Sequence, residues 1–144
     1  MKFKKKYLAI LDIVITEIIS QKLQISLIKE FVNKNKGDLV FYTTENHATF
    51  KNLSILKQKL KEDLKLNGLV FFSILQFFYG EKKNINLLRN ILNKGIEVNF
   101  IRENLILKNI AQLNKKIIDI KFFPDTHNSL IKNLKSNFLN KTKK

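Results

Sequence analysis

The sequence predicts a three-layer α/β protein: a mostly parallel sheet of four to five strands with helices on both faces, plus a C-terminal amphipathic helix. Two observations carry that expectation. The run Gly68-Leu-Val-Phe-Phe-Ser-Ile-Leu-Gln-Phe-Phe78 lacks polar alternation, as in a strand buried on both faces beneath helices. On either side, short apolar runs take turns with stretches of helical periodicity, and strands alternating with helices imply right-handed crossovers and parallel pairing. The chain of 144 residues has no internal repeat and no dividing linker. It therefore reads as one domain, residues 1–144, with its core over about residues 7–122 and its last helix over about residues 125–140.

Tyr7 to Val14 is the first strand. The start Met1-Lys-Phe-Lys-Lys-Lys6 before an apolar run has the outline of a signal peptide, but Asp12 and Glu17 interrupt the run and no small-residue cleavage site follows. Ser20 is placed to cap a helix through about Asn35, with Leu23, Leu27, Ile28, Phe31 and Val32 on its apolar face and Gly37 as its C-terminal glycine. Leu39 to Thr43 is the second strand and leads into the polar group Thr43-Thr-Glu-Asn-His47. A second helix is expected from about Thr49 to Leu64, with Leu53, Leu56, Leu60 and Leu64 in one stripe. Asn67-Gly68 supplies the turn into the central strand, Leu69 to Leu75.

About Lys82 to Asn93 is the third helix, burying Leu87, Leu88, Ile91 and Leu92 and ended by Gly95. Ile96 to Arg102 is the fourth strand. Its Glu97 and Asn99 alternate with Ile96, Val98 and Phe100, as expected nearer a sheet edge. Beyond Glu103 the pattern predicts a short helix over Asn109 to Asn114 and a fifth strand over Ile117 to Phe122. After Pro124, the only proline, Asp125 or Thr126 caps the last helix, with Leu130, Ile131, Leu134 and Phe138 inward.

Composition removes several classes of chemistry. The chain has no cysteine, which excludes disulfides, thiolate metal sites and cysteine catalysis and fits a reducing, cytoplasmic location. Glycine stands only at 37, 68, 80 and 95, so neither a dinucleotide fingerprint nor a phosphate loop is present. His47 and His127 lack metal-ligand spacing, and neither a metal nor a cofactor is expected. No run approaches the roughly 20 apolar residues of a membrane span. The net charge of +15 suits an anionic partner. Yet among 27 basic residues only Arg89 and Arg102 are arginine, the residue best matched to bidentate phosphate and base contacts.

In a parallel sheet the loops after the strands share one rim, and ligands bind there where the strand order reverses. The candidates at that rim are Gln21, Thr44, Glu45, Ser73, Gln76, Arg102 and Glu103. They provide two carboxylates, one cation, two hydroxyls and two amides. This set suits a polyhydroxylated ligand at least as well as a phosphate, with Glu45 or Glu103 as candidate acid or base.

From Asn67 to Glu103 the order of elements resembles the catalytic domain of the serine recombinases, which implies a resolvase- or flavodoxin-like sheet. Where that family has its nucleophilic serine this chain has Leu11, Asp12 and Ile13, and where it has an Asp-Arg pair this chain has Leu75 and Gln76. Recombination is therefore not expected. From Tyr7 to Leu107 the chain is similar to the sporadic carbohydrate cluster proteins of bacterial surface-carbohydrate gene clusters. The matching pieces are Gln21-Lys-Leu-Gln24, Ile28-Lys-Glu-Phe31, Thr44-Glu45, Gly68-Leu-Val, Ser73-Ile-Leu-Gln76 and Phe100-Ile-Arg-Glu103. That family's first strand ends in Ser-Arg, where this chain has Ile10-Leu11-Asp12.

The resemblance implies a role in polysaccharide or glycan assembly, with a sugar, a nucleotide-sugar or a glycan-assembly protein as partner. It supplies no reaction. The alternative expectation is a non-catalytic, recombinase-like protein that binds nucleic acid or another anionic polymer through its lysines.

Overall fold

A computed structural model describes residues 4–80 and 83–117. The elements run β1 (Lys6–Leu11), α1 (Gln21–Lys34), β2 (Asp38–Thr44), α2 (Ser54–Lys61), β3 (Gly68–Phe71), a 3₁₀ turn (Ile74–Phe77), α3 (Lys83–Asn93), β4 (Glu97–Phe100) and β5 (Leu105–Leu107). A last helical stretch, α4, covers residues 110–117. The five strands form one sheet in the order β2-β1-β3-β4-β5. β1 pairs in parallel with β2 and β3, β3 in parallel with β4, and β5 runs antiparallel to β4. This is the flavodoxin-like strand order, whose reversal point lies between β1 and β3.

Alternation along β1 divides the core between the two faces of the sheet. Tyr7, Ala9 and Leu11 pack with Ile28 and Val32 of α1. Leu8 and Ile10 point the other way, into a larger cluster with Leu53, Leu56, Leu88, Ile91 and Leu92 from α2 and α3. Each such side chain removed from water is worth about 1.5–3 kcal/mol.

The structure departs from the sequence reading in several places, beginning with β1, which stops at Leu11 rather than Val14. α1 is capped by Ser20, whose hydroxyl accepts from the Leu23 N–H, but Leu23 itself is exposed and Gln24 turns inward. The second helix begins only at Ser54, because turns cover residues 47–53. The central strand stops at Phe71, before Ser73 and Gln76, which form the 3₁₀ turn that follows. β4 is flanked by β3 and β5, so Glu97 and Asn99 are buried rather than at an edge. Glu97 is satisfied there by the Tyr7 hydroxyl at 2.8 Å and the Lys5 ammonium at 3.4 Å.

The fifth strand is Leu105–Leu107, a short return against β4. Ile117, expected to open a strand, is helical, while residues 118–122 and the expected helix over residues 125–140 lie outside the described residues.

Two glycines are set by one ring. A Cβ on Gly68 would lie 2.6 Å from Tyr7 Cε1, and one on Gly37 would collide with the opposite edge of the same ring. Gly68 thus admits the Tyr7 side chain at the start of β3. It is not there for a turn conformation.

Candidate functional site

At the reversal point the carboxyl end of β1 meets the segment that follows β3, and the gap between them is closed by polar side chains. Phe72 is the last apolar residue before the chain turns, and Ser73 begins a capping box. The Ser73 hydroxyl accepts from the Leu75 N–H at 3.2 Å, and Gln76 Oε1 accepts from the Ser73 N–H at 3.1 Å. Such a box satisfies backbone donors that a helix start leaves open. The Gln76 amide nitrogen then reaches across to β1 and donates to the carbonyls of Ile10 and Leu11 at 3.3 and 3.2 Å.

Glu103 joins this group from the loop after β4. Its Oε2 accepts the Ser73 hydroxyl proton at 2.8 Å and its Oε1 accepts the Ile74 N–H at 2.9 Å. Glu45, immediately after β2, does the same for α2. Its two oxygens accept from the N–H groups of Ile55 and Leu56 at 2.9 and 2.8 Å. The backbone residue at that helix start is Leu53, in the left-handed region with φ 53° and no side-chain cap of its own. A carboxylate from elsewhere in the chain therefore supplies the cap.

Sequence reasoning missed three members of the site. Asp12 directly follows β1 and is buried. Its Oδ1 accepts from the Val14 N–H at 2.9 Å and its Oδ2 accepts the Tyr79 hydroxyl proton at 2.8 Å. Gln24 of α1 holds the backbone of Asp12 from both sides: Oε1 accepts the Asp12 N–H at 2.8 Å, and Nε2 donates to the Asp12 carbonyl at 3.0 Å. Burial pushes the Asp12 carboxyl up from its ordinary value of 3.8, against the opposing pull of the Tyr79 hydroxyl and of the Val14 and Ile15 N–H groups, while the Glu103 charge adds to the rise. Burial likewise raises the Tyr79 phenol, together with the Asp12 charge, and the Arg102 charge works the other way.

Asp12, Tyr79, Arg102 and Glu103 thus share one electrostatic neighbourhood. Arg102 enters it from the loop after β4, its N–H donating to the Phe72 carbonyl at 2.9 Å. One guanidinium nitrogen, Nη1, is buried and has no hydrogen-bond partner among the described residues. Asp12, Glu45, Gln76 and Tyr79 line a cleft of about 10 Å³, close to the least volume that holds one water molecule.

The structure therefore joins Ser73, Gln76 and Glu103 directly, sets Arg102 beside Tyr79, and brings Glu45 to the same cleft. Thr44 is half-buried at the end of β2 next to Glu45, opposite Leu11. Gln21 stands apart, exposed in the first turn of α1, and Gln24 reaches the rim instead. His47 is exposed, and among the described residues no group of histidines and carboxylates has a metal-holding arrangement. Compared with known proteins, the chain matches no family model and no curated protein. Among the described residues no helix is long and apolar enough to cross a membrane.

Proposed function

We propose that the protein binds a sugar or nucleotide-sugar at the rim between β1 and β3 and serves surface-carbohydrate assembly. The observation that carries this reading is the buried Arg102 Nη1, a donor without a partner beside Asp12, Tyr79 and Glu103. An unused buried donor is costly, by about 1–3 kcal/mol, until an acceptor arrives. A sugar hydroxyl or an anionic oxygen is such an acceptor.

The carboxylates divide the work. Glu45 and Glu103 each have both oxygens engaged by N–H or hydroxyl donors of the chain, so in this reading they hold the rim in shape. Asp12 and Tyr79 are likewise engaged, with the Val14 N–H and with each other, which leaves Arg102 Nη1 as the group that meets the ligand. A sugar-binding role fits this division better than acid–base work by Glu45 or Glu103.

The test is thermal unfolding against a panel of sugars and nucleotide-sugars at near-physiological salt, with duplex DNA in parallel. A ligand at about 100 times its dissociation constant adds about 2.7 kcal/mol, on the order of 10 °C for a domain of this size. The expected result is saturating stabilisation by one sugar class that Arg102→Gln removes. Stabilisation by DNA alone, fading as salt rises, would overturn the reading in favour of the lysines.

A further inference from the structure

The cleft at the rim is closed. Phe50 and Leu53 complete the wall that Asp12, Gln76 and Tyr79 begin, and about 10 Å³ is left inside, whereas a site that encloses a small molecule holds about 300–1,000 Å³. A ligand enters only if part of this wall moves. Two segments without regular structure border the cleft. Residues 13–19, after β1, are fastened to α1, because the Gln24 amide nitrogen donates to the Asp12 and Ile19 carbonyls at 3.0 and 3.1 Å.

Residues 46–52 are fastened far less, and their hydrogen bonds are made with one another. The Asn46 carbonyl accepts from the Thr49 and Phe50 N–H groups at 3.1 and 2.9 Å, and the Thr49 carbonyl from the Asn52 N–H at 3.2 Å. Thr49 Oγ1 accepts from the Asn46 N–H at 2.9 Å, and Asn46 Oδ1 from the Ala48 N–H at 2.8 Å. Glu45 draws the two ends together by accepting from the Ile55 and Leu56 N–H groups, which makes the segment a compact loop closed at its base. Among the described residues it is joined to the body by one hydrogen bond, from Asn84 Nδ2 to the Lys51 carbonyl at 2.8 Å, and by the Phe50 and Tyr79 rings, packed edge to face at 5.9 Å. Gly80 lies against that carbonyl, and a Cβ there would collide with it.

We propose that residues 46–52 are a lid that swings as one piece about Glu45 and Leu53, parting Phe50 from Tyr79 and admitting the ligand, a step that rests on the rim being the ligand site. The loop's own bonds survive the motion, so opening breaks only the Asn84 bond and the ring contact. The hinge favours it as well. Leu53 is anchored in the core by its side chain, but its backbone is left-handed, with φ 53° and ψ 43°, a region unfavourable to a residue other than glycine. Rotation there relieves it.

Two buried glutamines, 3% and 0% exposed, follow the motion in the wild type. The Gln76 amide donates to the Ile10 and Leu11 carbonyls in the wall of the cleft, and the Gln24 amide lies on the side of α1. Hydrogen exchange of their side-chain NH₂ groups is measured by NMR at urea concentrations below the unfolding transition. Gln76 is expected to exchange faster than Gln24 and with less dependence on urea, since opening a lid exposes far less surface than unfolding. Phe50→Ala and Gly80→Ala, which act on the two contacts of the lid, should each speed Gln76 about tenfold. Val32→Ala, in the core beneath α1, should speed Gln24 and leave Gln76 unchanged. Equal rates with equal urea dependence for the two glutamines, lid variants that leave Gln76 unchanged, or a Val32→Ala variant that speeds both alike would each overturn the lid. No sugar is used in these measurements: a moving lid in a protein that no sugar stabilises would remove the sugar reading alone, and a sugar-stabilised protein whose Gln76 exchanges only on global unfolding would remove the lid alone.

Discussion

Asp12 follows directly on β1 with a buried carboxylate, and burial raises its pKa. The folded chain holds that proton more tightly than the unfolded chain does. The contribution of Asp12 to stability is therefore fullest below the ordinary value of 3.8 and is lost as pH rises through the folded value. Asp12→Asn keeps an oxygen for the Val14 N–H and removes the titration. The variant should gain stability relative to wild type as pH rises above the ordinary value of 3.8, until the folded carboxyl has ionised, as read from urea unfolding at each pH; a difference independent of pH would mean that Asp12 is ionised at no net cost. Tyr79→Phe removes the hydroxyl that donates to Asp12 and should cost about 1–3 kcal/mol at neutral pH in the same assay, because it leaves a buried acceptor unpaired. Asp12 was legible in the sequence as a break in an apolar run. Tyr79 was not, because its partner lies 67 residues away, and neither periodicity nor spacing reports on a pair brought together only by the fold.

The joints between elements show how a correct element can rest on a misread residue. Gly37 follows α1 where a C-terminal glycine is expected, yet the left-handed position is filled by Lys36, with φ 52°. The closing bonds are those of a Schellman motif, Lys36 N–H to the Asn33 carbonyl and Gly37 N–H to the Val32 carbonyl, both at 3.0 Å. Gly37 is kept small by the Tyr7 ring. Gly95 after α3 does sit in the left-handed region, with φ 79° and open space around it.

Two substitutions at neighbouring positions should consequently act in opposite directions. Lys36→Gly relieves a non-glycine residue of a left-handed backbone and should stabilise by about 0.5–1 kcal/mol. Gly37→Ala should destabilise by about 1–3 kcal/mol through the clash with Tyr7. Chemical denaturation of the two variants beside wild type reads both.

The same distinction holds at the rim. Helix periodicity located α1 and α3 closely, β1 stops at Leu11 rather than Val14, and the polar breaks at Ser73 and Gln76 fall where the central strand gives way to the 3₁₀ turn. Their partners are backbone groups and Glu103, so the breaks in the run arise from a capping box before any ligand is considered. Substituting Gln76 consequently tests folding before it tests binding, whereas Arg102, whose Nη1 has no hydrogen-bond partner among the described residues, separates the two.

Over the whole molecule the dominant long-range term is charge of one sign. The sequence carries 27 basic against 12 acidic residues. Four ion pairs are formed among the described residues, and in three of them the side chains on both sides are one-quarter or more exposed. Exposed pairs of this kind contribute little, about 0–1 kcal/mol each. Repulsion among the remaining lysines acts over distances comparable to the Debye length, about 10 Å at 0.1 M salt, and so is screened as salt is added. The folded state concentrates this charge more than the unfolded chain does.

Raising sodium chloride from about 0.02 to 0.3 M should therefore raise the melting temperature by a few degrees. The experiment is run at high dilution, where self-association does not contribute. A melting temperature that falls with salt would mean that attractive pairs outweigh the excess of lysine, and that the positive charge is arranged around acidic groups rather than spread over the surface. A rise would show that the fold carries its charge as a burden. That would leave a polyanion free to stabilise it without any built site, which is why the sugar panel has to be read at near-physiological salt and against Arg102→Gln.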